Sequence, residues 1–251
     1  MNPNIHRPTK KPANKKTFDD VYSNITKDPK LINNYMFDNK CDAIILNYWY
    51  GNNYGASLTC YALIKSLLNN GYFGRTLNYV PPIFENIYNN SFSKPFAEKF
   101  LNLTEPCTNK DDFINLHNLT NIFIVGSDQV WNPKLYKQYG GNIYQLNFVN
   151  KDKKKIACAV SFGSEEFNGS NSEAFVFKAL INAFNDITVR ENSGKILLKN
   201  EFNIDATVVP DPVFAISKEE WKELAGEKRL IKEKYIAAYI IGNEQQDTIE
   251  K

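Results

Sequence analysis

The chain has 251 residues, with 30 Lys and Arg against 28 Asp and Glu, and its net charge of +2 gives no overall field toward nucleic acid or a membrane surface. Hydrophobic residues at 43% and aromatics at 14% mark a globular protein, long enough for one large domain or two small ones. No run approaches the ~20 apolar residues of a spanning helix, and the N-terminus lacks the apolar stretch of a secretory leader, so the expectation is a cytoplasmic protein.

Cys41, Cys60, Cys107 and Cys158 stand far apart without a CxxC pair and read as reduced thiols. With His6 and His117 the sole histidines, a His-based metal site is not expected.

Residues 1–40 read as a flexible polar arm, basic at Lys10, Lys11, Lys15 and Lys16, with short helices predicted at 18–25 and 31–36. The apolar run 42–47 predicts a buried strand. It is followed by the turn Tyr48-Trp-Tyr-Gly-Asn-Asn-Tyr-Gly-Ala56 and by a helix over 57–68, whose Leu58, Tyr61, Ala62, Ile64, Leu67 and Leu68 fall mostly at helical spacing. A strand, Gly-rich turn and helix aim the helix's free N–H groups above the strand's carboxyl end, where an anion or a sugar hydroxyl can bind. Gly51, Asn52, Asn53, Tyr54 and Gly55 are therefore candidate ligand contacts. A tight turn without a ligand accounts for them equally well, because the dinucleotide fingerprint is not present.

Gly71 ends this helix, and residues 76–80 predict a second strand closed by Pro81 and Pro82. Residues 83–120 read as an insertion with short helices at 94–101 and 110–116. A third strand, 121–125, runs into Gly126-Ser-Asp-Gln-Val-Trp-Asn-Pro133. A fourth, 155–160, runs into Ser161-Phe-Gly-Ser164. Then come a helix at 173–184, a strand at 186–190, a helix at 193–199 and a strand at 206–210 leading to Asp211. Ser217 and Glu220 form a capping box opening a helix at 221–225, and residues 235–241 predict a last strand. Apolar strands alternating with helices predict an α/β fold with a Rossmann-like parallel sheet covered on both faces. In such sheets ligands gather at the strands' carboxyl ends, where every motif above lies.

Among these motifs, Arg190 precedes Glu191 and a predicted helix start, so it suits a phosphate or carboxylate; the alternative is an ion pair with Glu191 or another carboxylate. Asp128 can take a proton from a substrate hydroxyl or serve as a turn cap. Ser127 is a neighbouring candidate contact. Trp131 can stack on a sugar ring or pack in the core. Ser161, Gly163 and Ser164 can donate to a ligand, and Asp211 between two prolines reads first as a rigid turn. No GxSxG, HExxH or phosphate-cradling GKS/T pattern occurs.

With these motifs the chain resembles the polysaccharide pyruvyl transferase family. The matching pieces are Asn52-Asn-Tyr-Gly-Ala56 with Tyr61-Ala-Leu63, Val125-Gly-Ser-Asp-Gln-Val-Trp-Asn-Pro133, Ala159 to Gly163, Thr188-Val-Arg-Glu191 and Val209-Pro-Asp-Pro212. The resemblance implies the N-terminal half of a B-type glycosyltransferase fold. It also implies transfer of pyruvate from phosphoenolpyruvate to sugar hydroxyls as a ketal, with a saccharide acceptor, no cofactor and no metal. Arg190 would contact the donor's anion, and Asp128 and the Asn52–Gly55 loop would face the acceptor or line the cleft. Two departures stand out. Family members often carry a His just before the Asn-Asn-Tyr-Gly-Ala element, where this chain has Tyr48-Trp-Tyr-Gly51. The family's further donor residues belong to a second half, of which residues 231–251 would be the opening strand, after an arm at 1–40 and a domain at 41–230. A separate chain would then supply that half. The alternatives are a non-catalytic half-domain binding a sugar or a partner subunit, and a sugar-nucleotide glycosyltransferase of the same architecture.

Overall fold

The computed structural model describes residues 40–226, 231 and 233–236. The predicted arm up to residue 39, with its two short helices, lies outside the described residues, as do residues 237–241 of the predicted last strand. The chain divides into two compact units, Met1–Ile216 and Ser217–Lys251.

The first unit is built on strand β1 (Ala43–Leu46), whose four residues are all buried. A strand made only of Ala, Ile and Leu suits a position covered on both faces, and β1 is paired in parallel on both sides, with β2 (Gly74–Thr76) and with β3 (Ile122–Val125). The sheet continues through β4 (Lys154–Val160), β5 (Asp186–Val189) and β6 (Thr207–Val208), in the order β2-β1-β3-β4-β5-β6, all parallel. The Rossmann-like α/β expectation holds. The chain steps outward from β1 to β2 and then returns to β3 on the other side, so the topological switch point lies between β1 and β3.

Helix α1 (Tyr54–Asn69) follows β1 and covers one face, where Leu63 and Ile64 meet Ala43, Ile45 and Ile124. The short helices α2 (Glu85–Asn89), α3 (Ser93–Phe100) and α4 (Lys110–Asn115) fill the insertion before β3. After β3 comes α5 (Pro133–Tyr136), after β4 comes α6 (Asn171–Ile181), and after β5 comes α7 (Asn192–Leu197). The larger core joins Ile44, Leu46, Phe123 and Val125 to an aromatic mass that includes Trp49, Tyr50, Trp131, Tyr144, Phe162 and Phe177. Full burial of one such side chain stabilises the fold by about 1.5–3 kcal/mol.

Three predicted strands differ in extent. The one predicted at 76–80 forms at Gly74–Thr76. Beyond it Leu77 still donates to the Ile45 carbonyl, but Asn78 turns away to bond Thr104 and Cys107. The one at 206–210 shortens to Thr207–Val208, an exposed sheet edge stopped by Pro210. Tyr235 and Ile236 have no regular structure, and Ile236 is almost fully exposed. The predicted helix at 193–199 passes from α7 into a π-helical turn, Leu198–Phe202, that closes at Asn203 in the left-handed region. In the second unit the predicted capping box is present: Ser217 and Glu220 cap α8 (Lys218–Ala225) reciprocally. Among the described residues no helix is long and apolar enough to cross a membrane.

Candidate functional site

The loops beyond the carboxyl ends of β1, β3, β4, β5 and β6 carry the candidate residues. After β1, Asn53 caps α1 by accepting from the Ala56 N–H at 3.3 Å. Gly55 leaves room for that cap, because a Cβ there would lie 3.2 Å from Asn53 Oδ1. Asn52, Asn53, Tyr54 and Gly55 are exposed, and Tyr54 stacks on Phe92 with ring centroids 3.9 Å apart. Gly51 is half-buried, and its carbonyl accepts from the Ser93 hydroxyl. The loop is therefore pinned from beneath while its polar tip faces outward.

After β3 the backbone approaches β4 so closely that Gly126 is obligatory. Its φ is +124°, and a Cβ would sit 2.1 Å from the Cys158 carbonyl oxygen. Ser127 is fully buried and donates to the Ala159 carbonyl at 2.7 Å. That carbonyl is presented by an irregularity in β4, where the register with β5 shifts between Ala157 and Val160 and Ala159 adopts φ +50°. Asp128 follows with φ +83°, a conformation costing roughly 1–3 kcal/mol for a non-glycine residue. It is half-buried, and one of its carboxylate oxygens accepts from the Gln129 N–H at 2.8 Å.

The remaining candidates sort between surface and interior. Trp131 lies in the core, packed against Phe162, Phe177 and Phe184, with its indole N–H donating to the Tyr144 carbonyl. Its ring faces protein on the sides where a sugar would stack. Ser161 is buried and accepts from the Gly163 N–H at 2.9 Å, closing a tight turn with Gly163 at φ +62°. Ser164 caps the next loop, accepting from Glu166 and Asn168.

Arg190 has the carboxylate partners that its sequence context allowed. Its Nε donates to Glu191 at 2.7 Å and its Nη1 to Asp211 at 3.0 Å. Burial opposes its charge, but the bonds to Glu191 and Asp211, and the charge of Asp128, hold its pKa above the ordinary arginine value. Asp211 is the junction that sequence reasoning assigned first to a rigid turn. It accepts from Thr59 on α1, from Ser127 after β3, from Arg190 after β5 and from the Val213 N–H. The Pro-Asp-Pro signal was visible; its reach across the sheet was not.

A second feature that sequence reasoning missed sits at the switch point. Tyr48 and Asn47 are buried, and the Tyr48 hydroxyl and Asn47 Nδ2 have no hydrogen-bond partner among the described residues. Burial first, then the neighbouring Tyr50, Asp128, Tyr139 and Tyr136, push the Tyr48 phenol well above its usual pKa, so it is a donor at neutral pH. Asp128 thus lies within electrostatic reach of Tyr48 on one side and Arg190 on the other.

Comparison with known proteins places the chain in a family. The family model described as polysaccharide pyruvyl transferase matches residues 53–250. Neither the curated proteins nor the solved structures give a match. The match runs from the cap of α1 through the loops that carry Ser127, Asp128, Arg190 and Asp211, and the chain belongs to the polysaccharide pyruvyl transferase family.

Proposed function

We propose that this chain acts in transfer of a pyruvyl group from phosphoenolpyruvate to two hydroxyls of a saccharide, forming a ketal. In that reaction the donor's methylene carbon gains a proton and its C2 forms two bonds to sugar oxygens. The bond from C2 to the phosphate oxygen breaks, and of the two hydroxyl protons released one balances the methyl group and the other leaves with phosphate. The observation that supports the reading is that Asp128 and Arg190 both follow strands at the carboxyl edge, within electrostatic reach of each other, in a chain of this family. Asp128 is suited to accept a hydroxyl proton. Arg190 is suited to hold the donor's phosphate or carboxylate, since its Nη2 makes no hydrogen bond within the described residues.

A second reading, a non-catalytic sugar-binding domain, draws on the two carboxylates that already balance Arg190. Isothermal calorimetry with phosphoenolpyruvate separates the two. The transferase reading expects heat from the native chain and its loss in Arg190→Ala, with folding checked by circular dichroism. No heat from a folded native chain would sink Arg190 as a sufficient donor contact and favour the second reading.

A further inference from the structure

Between α5, the turn Gly141–Gln145 and the first turns of α6, in the segments that follow β3 and β4, is a cleft of about 390 Å³. Small-molecule sites begin at roughly 300 Å³. Its wall is Tyr136, only 4% exposed, whose phenol lies within electrostatic reach of the unpartnered Tyr48 hydroxyl. Its rim carries Asn142, Ser172 and the half-exposed Val176. The Asn142 carboxamide makes no hydrogen bond among the described residues, whereas the Ser172 hydroxyl reaches the Ser170 hydroxyl at 3.0 Å. Charge in the cleft is balanced: Lys137 pairs with Glu173 at 2.5 Å, and the other Glu173 oxygen is held by the Ser170 N–H and hydroxyl.

We infer that this cleft is a subsite for one neutral pyranose unit of the acceptor chain. The inference rests on the transfer reading above for the word acceptor, but its geometry stands apart from the donor side. Val176, 42% exposed, suits the C–H face of a pyranose, while a carboxamide and a hydroxyl suit its ring hydroxyls. A cleft whose one cation is already matched by a carboxylate offers a uronic acid no uncompensated positive charge.

Saturation-transfer NMR on the full chain tests this with methyl β-galactopyranoside, methyl β-glucopyranoside and methyl β-glucuronide. Signal is expected from the neutral pyranosides, with the glucuronide weaker. Ser172→Trp, at an exposed position on the rim, is expected to weaken neutral-pyranoside binding about tenfold or more. Asn142→Ala is expected to weaken it less, with both variants folded by circular dichroism. Equal affinity in native and Ser172→Trp protein overturns the subsite, as does preference for the glucuronide or absence of transfer from every pyranoside. The calorimetry with phosphoenolpyruvate on the native chain reads the donor side separately. A cleft-dependent sugar signal without donor heat leaves the subsite standing and the transfer reading lost.

Discussion

At the β5–β6 end of the carboxyl edge, Asp211 receives hydrogen bonds from Thr59, Ser127, Arg190 and Val213, whereas at the β1 end Tyr48 and Asn47 bury donors that bond to nothing among the described residues. The first region ties α1 and the exits of β3, β5 and β6 to one carboxylate. The second lies at the switch point, where parallel sheets bind ligands. Each buried donor left without an acceptor costs about 1–3 kcal/mol. One end of the edge therefore fixes geometry, and the other buries polar groups that the described residues leave without partners. Substitutions at the two ends should move stability in opposite directions.

The largest effect is expected at Asp211. Asp211→Ala removes the acceptor shared by Thr59 and Ser127 and leaves Arg190 with Glu191 alone. The Asp211 side chain is 14% exposed and that of Arg190 28%, so the full cost of breaking a buried pair is discounted to roughly 2–4 kcal/mol. Urea denaturation reads this as a lower midpoint with unchanged slope. A loss under about 0.5 kcal/mol would mean that the network is decoration, and the comparison would fail.

A smaller effect of opposite sign is expected at Tyr48. Tyr48→Phe keeps the ring contacts with Tyr139 and Tyr144, both at 4.6 Å, and deletes a buried hydroxyl that has no partner among the described residues. Stability should hold or rise by up to about 1 kcal/mol. Tyr50→Phe supplies the contrast, because the Tyr50 hydroxyl is bonded to Tyr144 at 2.6 Å. It should cost about 1–2 kcal/mol. If Tyr48→Phe destabilises as much as Tyr50→Phe, the Tyr48 hydroxyl has a structural partner and the open end of the edge is closed after all.

The sheet was legible because its strands announce themselves: uniformly apolar runs such as Ala43–Leu46 and Ile122–Val125 can only be buried on both faces. The gathering of motifs at one edge followed from the parallel order alone. Side-chain partnerships were not legible, since they join residues far apart in sequence. Asp211 reaches Thr59 across 152 positions, and Tyr50 reaches Tyr144 across 94. Trp131 beside Asp128 was open to stacking or packing because loop aromatics serve either purpose, and the aromatic shell of Phe162, Phe177 and Phe184 that encloses it comes from later elements. The Tyr48-Trp-Tyr-Gly51 departure carried more than its sequence disclosed: it brings two of the largest buried side chains, Trp49 and Tyr50, and one unpartnered hydroxyl to the switch point.

The smallest effect concerns the cleft, and it sharpens the comparison at its third polar cluster. The Lys137 ammonium and then the Ser170 N–H hold Glu173 down from 4.5 to about 2. A folded pKa below the unfolded one adds stability above the unfolded value, and that stability is lost as pH falls from about 4.5 toward 2. The pair lies at the surface, with Lys137 nearly half exposed, so the contribution should stay under about 1 kcal/mol. NMR titration of the Glu173 carboxyl should give a midpoint well below 4, and Glu173→Gln should flatten the acid limb of stability against pH. A midpoint near that of a free glutamate would mean that Lys137 is not held by Glu173. The cleft would then present a free ammonium beside Asn142 and Ser172, and the expected ligand would change from a neutral pyranose to an acidic one.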